Sequence, residues 1–177
     1  MLPRGQTSSS TPTFTAINPP NSPTSSTATG INNHGLIAGF STLLNGNAAG
    51  FIDNNGTVTT GLELPGSTDT MFLGVNDNGL FVGVYVDAAG NNDGFVYDPS
   101  TGMWTTVNDP LGVAGAGNGT VINGIDDNNQ LVGFYVDAAG NTDGLLADPT
   151  PEPASRLLLG TGLLALGIIW KRREHLT

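Results

Sequence analysis

Short runs of apolar and β-branched residues alternate with polar turns along most of the chain. The turns are rich in Gly, Asn and Asp, and Asn-Gly and Asp-Gly pairs supply the positive φ angles that hairpins require. β-branched and aromatic residues between such turns favour strands over helices. With 26 Gly and 11 Pro, the chain is also poor in residues that favour helices. The pattern predicts an all-β body.

The strand-and-turn pattern recurs three times. The segments GINNHGLIAGFS, GVNDNGLFVGVY and GIDDNNQLVGFY begin at Gly30, Gly74 and Gly124, at offsets of 44 and 50 residues. The segment YVDAAGN occurs twice, beginning at Tyr85 and at Tyr135. Repeats of about 20 to 50 residues are typical of solenoids, propellers and other arrays. We therefore predict three consecutive units that share one local fold.

Each unit is predicted to contain four short antiparallel strands. The third unit stops at Asp148 before its fourth strand, and residues 14–17 (FTAI) are similar to the fourth strand of the second unit (WTTV). The sequence therefore predicts that residues 14–17 complete the third unit. Propellers have about four to eight blades, so propeller-like and three-fold β-prism-like arrangements both stay open. The predicted domains are a flexible arm (1–11), the repeat body (12–149) and a C-terminal segment (150–177).

The repeat units resemble the HAF-type extracellular repeat. Its GINxxGxIVGxY core is matched by the segments that begin at Gly30, Gly74 and Gly124, and the resemblance covers about residues 12–148. The resemblance implies a secreted or surface repeat protein, frequently of β-propeller type, without an assigned activity.

The C-terminal segment has the composition of a membrane helix. Residues 157–170 are uncharged and would span about 21 Å as a helix, at roughly 1.5 Å per residue. The hydrocarbon core is about 30 Å thick, so we expect Arg156 to snorkel and lengthen the span. A buried helix of a soluble protein would show polar residues at helical spacing, which this run lacks. The predicted membrane residues are Leu157, Leu158, Leu159, Leu163, Leu164, Leu166, Ile168, Ile169 and Trp170.

Charge predicts the orientation of this helix. Four of the five Lys and Arg residues lie in the tail, whereas the first 150 residues carry one cation and thirteen acidic side chains. Cations flanking a membrane helix stay in the cytoplasm, so the acidic body is expected outside. A tail-anchored protein with a cytoplasmic body is the disfavoured alternative. The predicted cytoplasmic anchor is Lys171, Arg172 and Arg173.

A Pro-Glu-Pro triplet (Pro151, Glu152, Pro153), an apolar segment and a basic cluster follow one another in this tail. In that order they resemble the PEP-CTERM sorting domain of Gram-negative bacteria that make extracellular polysaccharide. The resemblance implies cleavage near the triplet by an exosortase. Arg156 and residues 174–177 depart from the usual pattern. Residues 1–15 contain no apolar export signal, which suggests a lost signal, a start assigned too far downstream or a fragment.

Composition excludes several classes of partner and site. The acidic body disfavours nucleic acid and anionic lipid headgroups, because phosphate contacts need Lys and Arg. The absence of Cys excludes disulfides, thiolate nucleophiles and Cys-based metal sites. Asp77, Asp126 and Asp127 lie in turn positions, where Asx-turn chemistry explains them better than catalysis does. His34 also lies in a turn, and a turn residue that tolerates the left-handed conformation explains it better than catalysis does. We therefore predict a protein without enzymatic activity and without a cofactor.

Calcium is the one metal that the sequence leaves open. The segments DAAGNNDG and DAAGNTDG place oxygen ligands at i, i+4 and i+6 in a Gly-containing loop, and calcium binds six to eight such oxygens. The EF-hand spacing is not met, and hairpin turns explain the same residues. The candidate ligands are Asp87, Asn91, Asp93, Asp137, Asn141 and Asp143.

Together these patterns favour an exported, non-enzymatic β-repeat protein, held at the inner membrane before sorting and then located at the cell surface or in the exopolysaccharide (biofilm) matrix. Two alternatives stay open. One is a secreted polysaccharide-binding or polysaccharide-active protein, for which Trp104, Tyr85, Tyr135 and Phe134 would stack on sugars unless they pack in the core. The other is a calcium-stabilised adhesion module.

Overall fold

The body is built from antiparallel strands in three sheets. The computed structural model describes residues 11–20 and 25–149, of which residues 25–147 contain the strands. The first sheet contains β1 (Ser25–Ile31), β2 (Leu36–Thr42), β3 (Ala48–Asn54) and β4 (Thr57–Leu62). The second contains β5 (Asp69–Val75), β6 (Phe81–Val86), β7 (Asn92–Asp98) and β8 (Met103–Val107). The third contains β9 (Thr120–Ile125), β10 (Leu131–Val136) and β11 (Thr142–Ala147).

Within each sheet, strands that are neighbours in sequence are neighbours in space. The orders are β1-β2-β3-β4, β5-β6-β7-β8 and β9-β10-β11, with every pair antiparallel and no closed barrel among the described residues. The prediction of an all-β body of antiparallel sheets is confirmed, and no helix occurs in the described ranges. The predicted C-terminal helix lies outside them.

The first strand of each unit contains an irregularity beside a glycine of the second strand. Pairing shifts register between Phe72 and Gly74 in β5, and the equivalent shift occurs in the other two sheets. Opposite it, a Cβ on Gly83 would overlap the carbonyl oxygen of Met71. Glycine is needed there because the bulged backbone comes too close for any side chain.

The three sheets pack face to face in chain order. We call the face of a unit that points to the next unit its forward face and the opposite one its back face. Ala38 and Ile52 on the first forward face pack with Phe72, Phe81 and Phe95 on the second back face. Val82 on the second forward face packs with Ile122 and Leu131 on the third back face. The core therefore lies between units.

Residues 14–17 were predicted to complete the third sheet, but in the structure they do not. That sheet has three strands, and residues 14–17 form no strand in the structure. Instead, Ser26 Oγ donates a hydrogen bond of 3.0 Å to the carbonyl of Ile17, next to the first unit. Phe14 is 90% exposed. The chain runs from residue 17 to β1 over only a few residues, which keeps the segment near the first unit.

Candidate functional site

The turns between the first and second strands of the units are joined by hydrogen bonds from side-chain amides. Asn32 Nδ2 donates to the carbonyl of Asn76 at 2.9 Å, and Asn76 Nδ2 donates to the carbonyl of Asp126 at 2.9 Å. The same side chains close their own turns, because Asn32 Oδ1 accepts from Leu36 N–H and Asn76 Oδ1 accepts from Leu80 N–H, both at 2.9 Å. We call residues 32–35, 76–79 and 126–129 the turn ladder.

A second line of hydrogen bonds runs along the turn ladder through carboxylates. The backbone N–H and Nδ2 of Asn33 donate to Asp77 at 2.9 and 2.7 Å, and Asp77 N–H donates to Asp127 at 2.8 Å. The hydrogen bonds from Asn33 lower the pKa of Asp77 below its usual value of 3.8, and nearby His34 adds to the effect. Asp126 Oδ1 accepts from the backbone of its own turn. The three carboxylates therefore act as turn and inter-unit acceptors.

His34 is a turn residue, as the sequence indicated. Its side chain is 69% exposed, and Nδ1 lies 3.7 Å from Asp77 Oδ1. Its backbone N–H donates to Asn32 Oδ1 at 3.0 Å. The imidazole thus lies on the outside of the turn ladder, and the carboxylate beside it belongs to the next unit.

The DAAGN segments form the turns between the second and third strands, at the other end of the sheets. Asp87 Oδ1 accepts from the N–H groups of Ala89 and Asn91 at 2.8 and 2.9 Å, and Asp87 Oδ2 accepts from Asn91 Nδ2 at 2.7 Å. Asp137 makes the equivalent contacts with Ala139 and Asn141. These bonds, chiefly from the asparagine side chains, lower the pKa of both carboxyl groups.

The first unit forms the same turn without a carboxylate. Leu43 N–H donates to the carbonyl of Asn47 at 2.8 Å, as Asp87 N–H does to Asn91 at 3.0 Å and Asp137 N–H to Asn141 at 2.9 Å. Because the backbone closes in the same way around Leu43, the turn does not need the carboxylate. Across residues 11–20 and 25–149, no group of three His, Cys, Asp or Glu side chains is placed to hold a metal.

Most of the extra residues of the second offset lie in the connection between β8 and β9, residues 108–119, which is longer than the connection 63–68 between β4 and β5. This loop folds onto the DAAGN turn of the second unit: Gly115 N–H donates to Asn91 Oδ1 at 2.6 Å, and Asn92 N–H donates to the carbonyl of Asn118 at 2.8 Å. Asn108 Nδ2 donates to Asp93. A polar depression of about 200 Å³ lies between loop and turn. Asn91 and Asp93 line it, while Asp137, Asn141 and Asp143 belong to the third unit.

Two of the four aromatic side chains considered for sugar stacking pack in the core. Trp104 stacks on Tyr97 with ring centroids 4.2 Å apart and meets Phe95 edge-on at 5.0 Å. Tyr85 packs against the same cluster, and its hydroxyl is hydrogen-bonded to Thr106 at 3.1 Å. Packing explains these two residues. Phe134 and Tyr135 are half-buried in β10.

The sorting motif (151–153), the apolar segment (157–170) and the basic anchor (171–173) lie outside the described residues. Among the residues that are described, no helix is long and apolar enough to cross a membrane. The chain matches no protein-family model, no curated protein and no solved structure.

Sequence reasoning missed the role of Asn32 and Asn76. The available signal was an asparagine at the same place in two turns, with Asp126 at that place in the third. An isolated turn explains Asn and Asp equally well, since both cap turns. Only the face-to-face packing of the units shows why an amide donor is needed.

Proposed function

We propose that this chain is an exported, non-enzymatic repeat protein of the cell surface or extracellular matrix, sorted through its C-terminal segment. The observation that carries the proposal is the order of three features in the tail: Pro151–Pro153, an apolar run and three cations. The triplet would supply a rigid recognition motif, the apolar run a membrane plug, and the cations a charge that stays in the cytoplasm. An exosortase-type enzyme would be the partner that cleaves near the triplet.

The properties of the body support this role. It carries a strong negative charge, which favours solubility. Its stability comes from core packing between sheets and from the turn ladder. Neither source needs disulfides or a cofactor. A scaffold of this kind suits a structural or binding component of the matrix.

We further propose that the units are consecutive blades of a propeller-like array. The first strands of neighbouring units approach very closely: a Cβ on Gly30 would lie 3.2 Å from the Cα of Gly74, and a Cβ on Gly74 would lie 3.2 Å from that of Gly124. The packing of successive sheets, with the first strands closest together, favours blades around an axis over a β-prism.

Mass spectrometry of the mature C-terminus tests the sorting proposal. In the bacterium that encodes the chain, the protein is expected to end near Pro151–Pro153 when the exosortase is present and to keep its tail when the exosortase gene is deleted. The triple variant Pro151→Ala, Glu152→Ala, Pro153→Ala should keep the tail in both strains. Pro149→Ala is the matched control and should be cleaved normally. Full-length protein in the exosortase-positive strain would contradict the proposal.

A further inference from the structure

The two end faces of the stack have the residues of an inter-unit interface, but none of the described units covers them. Val132 and Leu146 on the third forward face are 48% and 65% exposed, whereas the equivalent Val82 of the second unit is 0% exposed. A Cβ on Gly124 would meet only Val132 of its own sheet, whereas one on Gly74 would meet the next unit. The third unit therefore presents an exposed apolar surface that resembles the forward face of the second unit, which is covered by the third.

The back face of the first unit is open in part. Phe51 is buried there, but Ile31 is 68% exposed, and Ile31, Ile37, Ala28 and Ile17 line an apolar groove of about 370 Å³. The residues of the second and third units equivalent to Ile31 are Val75 and Ile125, and both pack against the preceding unit. The surface that would pack into this groove is therefore the forward face of another unit.

The N-terminal segment lies where the fourth strand of a preceding unit would end. A hydroxyl at one position of each first strand holds the incoming chain: Thr70 Oγ1 accepts from Leu64 N–H at 3.1 Å, and Thr120 Oγ1 accepts from Asp109 N–H at 2.9 Å. Ser26 occupies this position in the first unit and donates to the carbonyl of Ile17 at 3.0 Å. Residue 19 is a proline without an N–H, so the hydroxyl contacts a carbonyl instead.

Among the described residues, the third sheet has three strands, one fewer than the other two, and residues 14–17 would supply the fourth. In the second unit, β7 pairs with WTTV of β8, with Val96 opposite Thr105 and Tyr97 opposite Trp104. Aligning FTAI with WTTV places Thr15 opposite Leu146 and Phe14 opposite Ala147. Phe14, which is 90% exposed in one chain, would then lie at the place of Trp104, over the back face of the third sheet.

From these contacts we infer that two copies of this chain associate head to tail. The forward face of the third unit packs on the back face of the first unit of the other copy, whose residues 14–17 pair with β11. Such an interface joins two different surfaces. The assembly closes into a ring when the rotations between its successive members sum to a full turn. Two copies of the three described units give six, which is the one multiple of three within the propeller range of about four to eight blades. The inference rests on the repeat architecture and not on the sorting segment.

Light scattering on the full chain in a non-ionic detergent tests the two faces. The wild type is expected at twice the 18.1 kDa of one chain. Ile31→Asp and Leu146→Asp each place a carboxylate on one face at an exposed position, and each should give a monomer. Leu44→Asp, at a turn residue that is 87% exposed, is the matched control and should stay dimeric. A monomeric wild type, or face variants that remain dimers, would overturn the inference.

Because the chain has no Cys, single-cysteine variants test the strand pairing. Opposite residues of antiparallel strands have Cβ atoms about 4.5–5.5 Å apart, near enough for a disulfide to form with a small adjustment. An oxidised mixture of Thr15→Cys and Leu146→Cys chains should give a covalent dimer on a non-reducing gel, whereas either variant alone should not. No dimer in the mixture, or an intrachain disulfide in the double variant, would refute head-to-tail pairing.

Discussion

At the scale of single residues, Asn76 is a buried donor that links the turns of the second and third units. It is 3% exposed, and its Nδ2 donates to the Asp126 carbonyl and to Asn129 Oδ1, both at 2.9 Å. Its Oδ1 closes its own turn through Leu80. The equivalent residue of the third unit is Asp126, which has no amide to donate. The side-chain amide nitrogen, which Asn76 has and Asp126 lacks, therefore distinguishes a residue that links two units from one that only shapes its own turn.

Asn76→Asp tests this role because it keeps the acceptor and removes the donor. The carboxylate would face two oxygen atoms in a buried place, so we expect the free energy of unfolding to fall by about 2 kcal/mol or more. Asn128→Ala is the control: it lies in the turn ladder, is exposed and hydrogen-bonds to Asp126 of its own turn, and its effect should be within about 0.5 kcal/mol. Urea denaturation measures both. If both variants lowered the free energy of unfolding equally, Asn76 would not have the proposed role.

The lowered pKa of Asp77 predicts a loss of stability in acid. The folded state binds this proton less readily than the unfolded state, whose value is near 3.8. The contribution is therefore fully present above that value and is lost as the pH falls through the lower folded pKa. Between about pH 5 and pH 3, thermal unfolding of Asp77→Asn should shift less than that of the wild type. Glu63→Gln, outside the turn ladder, serves as control. Identical pH profiles for Asp77→Asn and wild type would contradict this.

At the scale of elements, the sequence predicted the turns and the short strands, which depend on local chemistry. The polar turns rich in Gly, Asn and Asp and the short apolar strands between them were predicted, and the second strands β2, β6 and β10 lie between such turns. The loop at residues 108–119 was visible only as a longer offset. Its contact with Asn91 depends on tertiary packing, which the local pattern does not encode.

Gly83→Ala tests the bulge that each unit repeats. The added methyl group would overlap the carbonyl oxygen of Met71, and the strand pair must open to admit it. We expect a loss of about 3 kcal/mol in the free energy of unfolding, as for other overpacked sites. Thr105→Ala, on an exposed strand position of the same unit, should change stability by no more than about 0.5 kcal/mol. A Gly83→Ala protein as stable as wild type would show that the bulge is not rigid.

At the scale of the whole molecule, the repeated sequence pattern predicted the number of units and the all-β class. It did not predict which sheet residues 14–17 contact. Sequence similarity between FTAI and WTTV identifies a strand-forming segment but not which sheet it joins. That choice depends on where Ser26 holds the segment. Likewise, the acidic turns at Asp87 and Asp137 were equally compatible with calcium and with turn chemistry, because both use the same oxygen atoms.

Metal removal separates these two explanations. Since the first unit closes the same turn around Leu43, we expect the thermal midpoint of the full chain to be the same in excess EDTA and in millimolar calcium. Magnesium at the same concentration controls for ionic strength. A midpoint that rises with calcium but not with magnesium would show a calcium site and contradict the account of these turns.

The most direct test of the proposed function is which side of the membrane each end of the chain occupies. Leu44→Cys in the body and Thr177→Cys at the C-terminus can be introduced singly into the cysteine-free protein at its own chromosomal locus. Before sorting, in a strain without the exosortase, a maleimide that cannot cross the inner membrane should label residue 44 in intact cells and residue 177 only after lysis. Labelling of residue 177 but not residue 44 in intact cells would contradict the account.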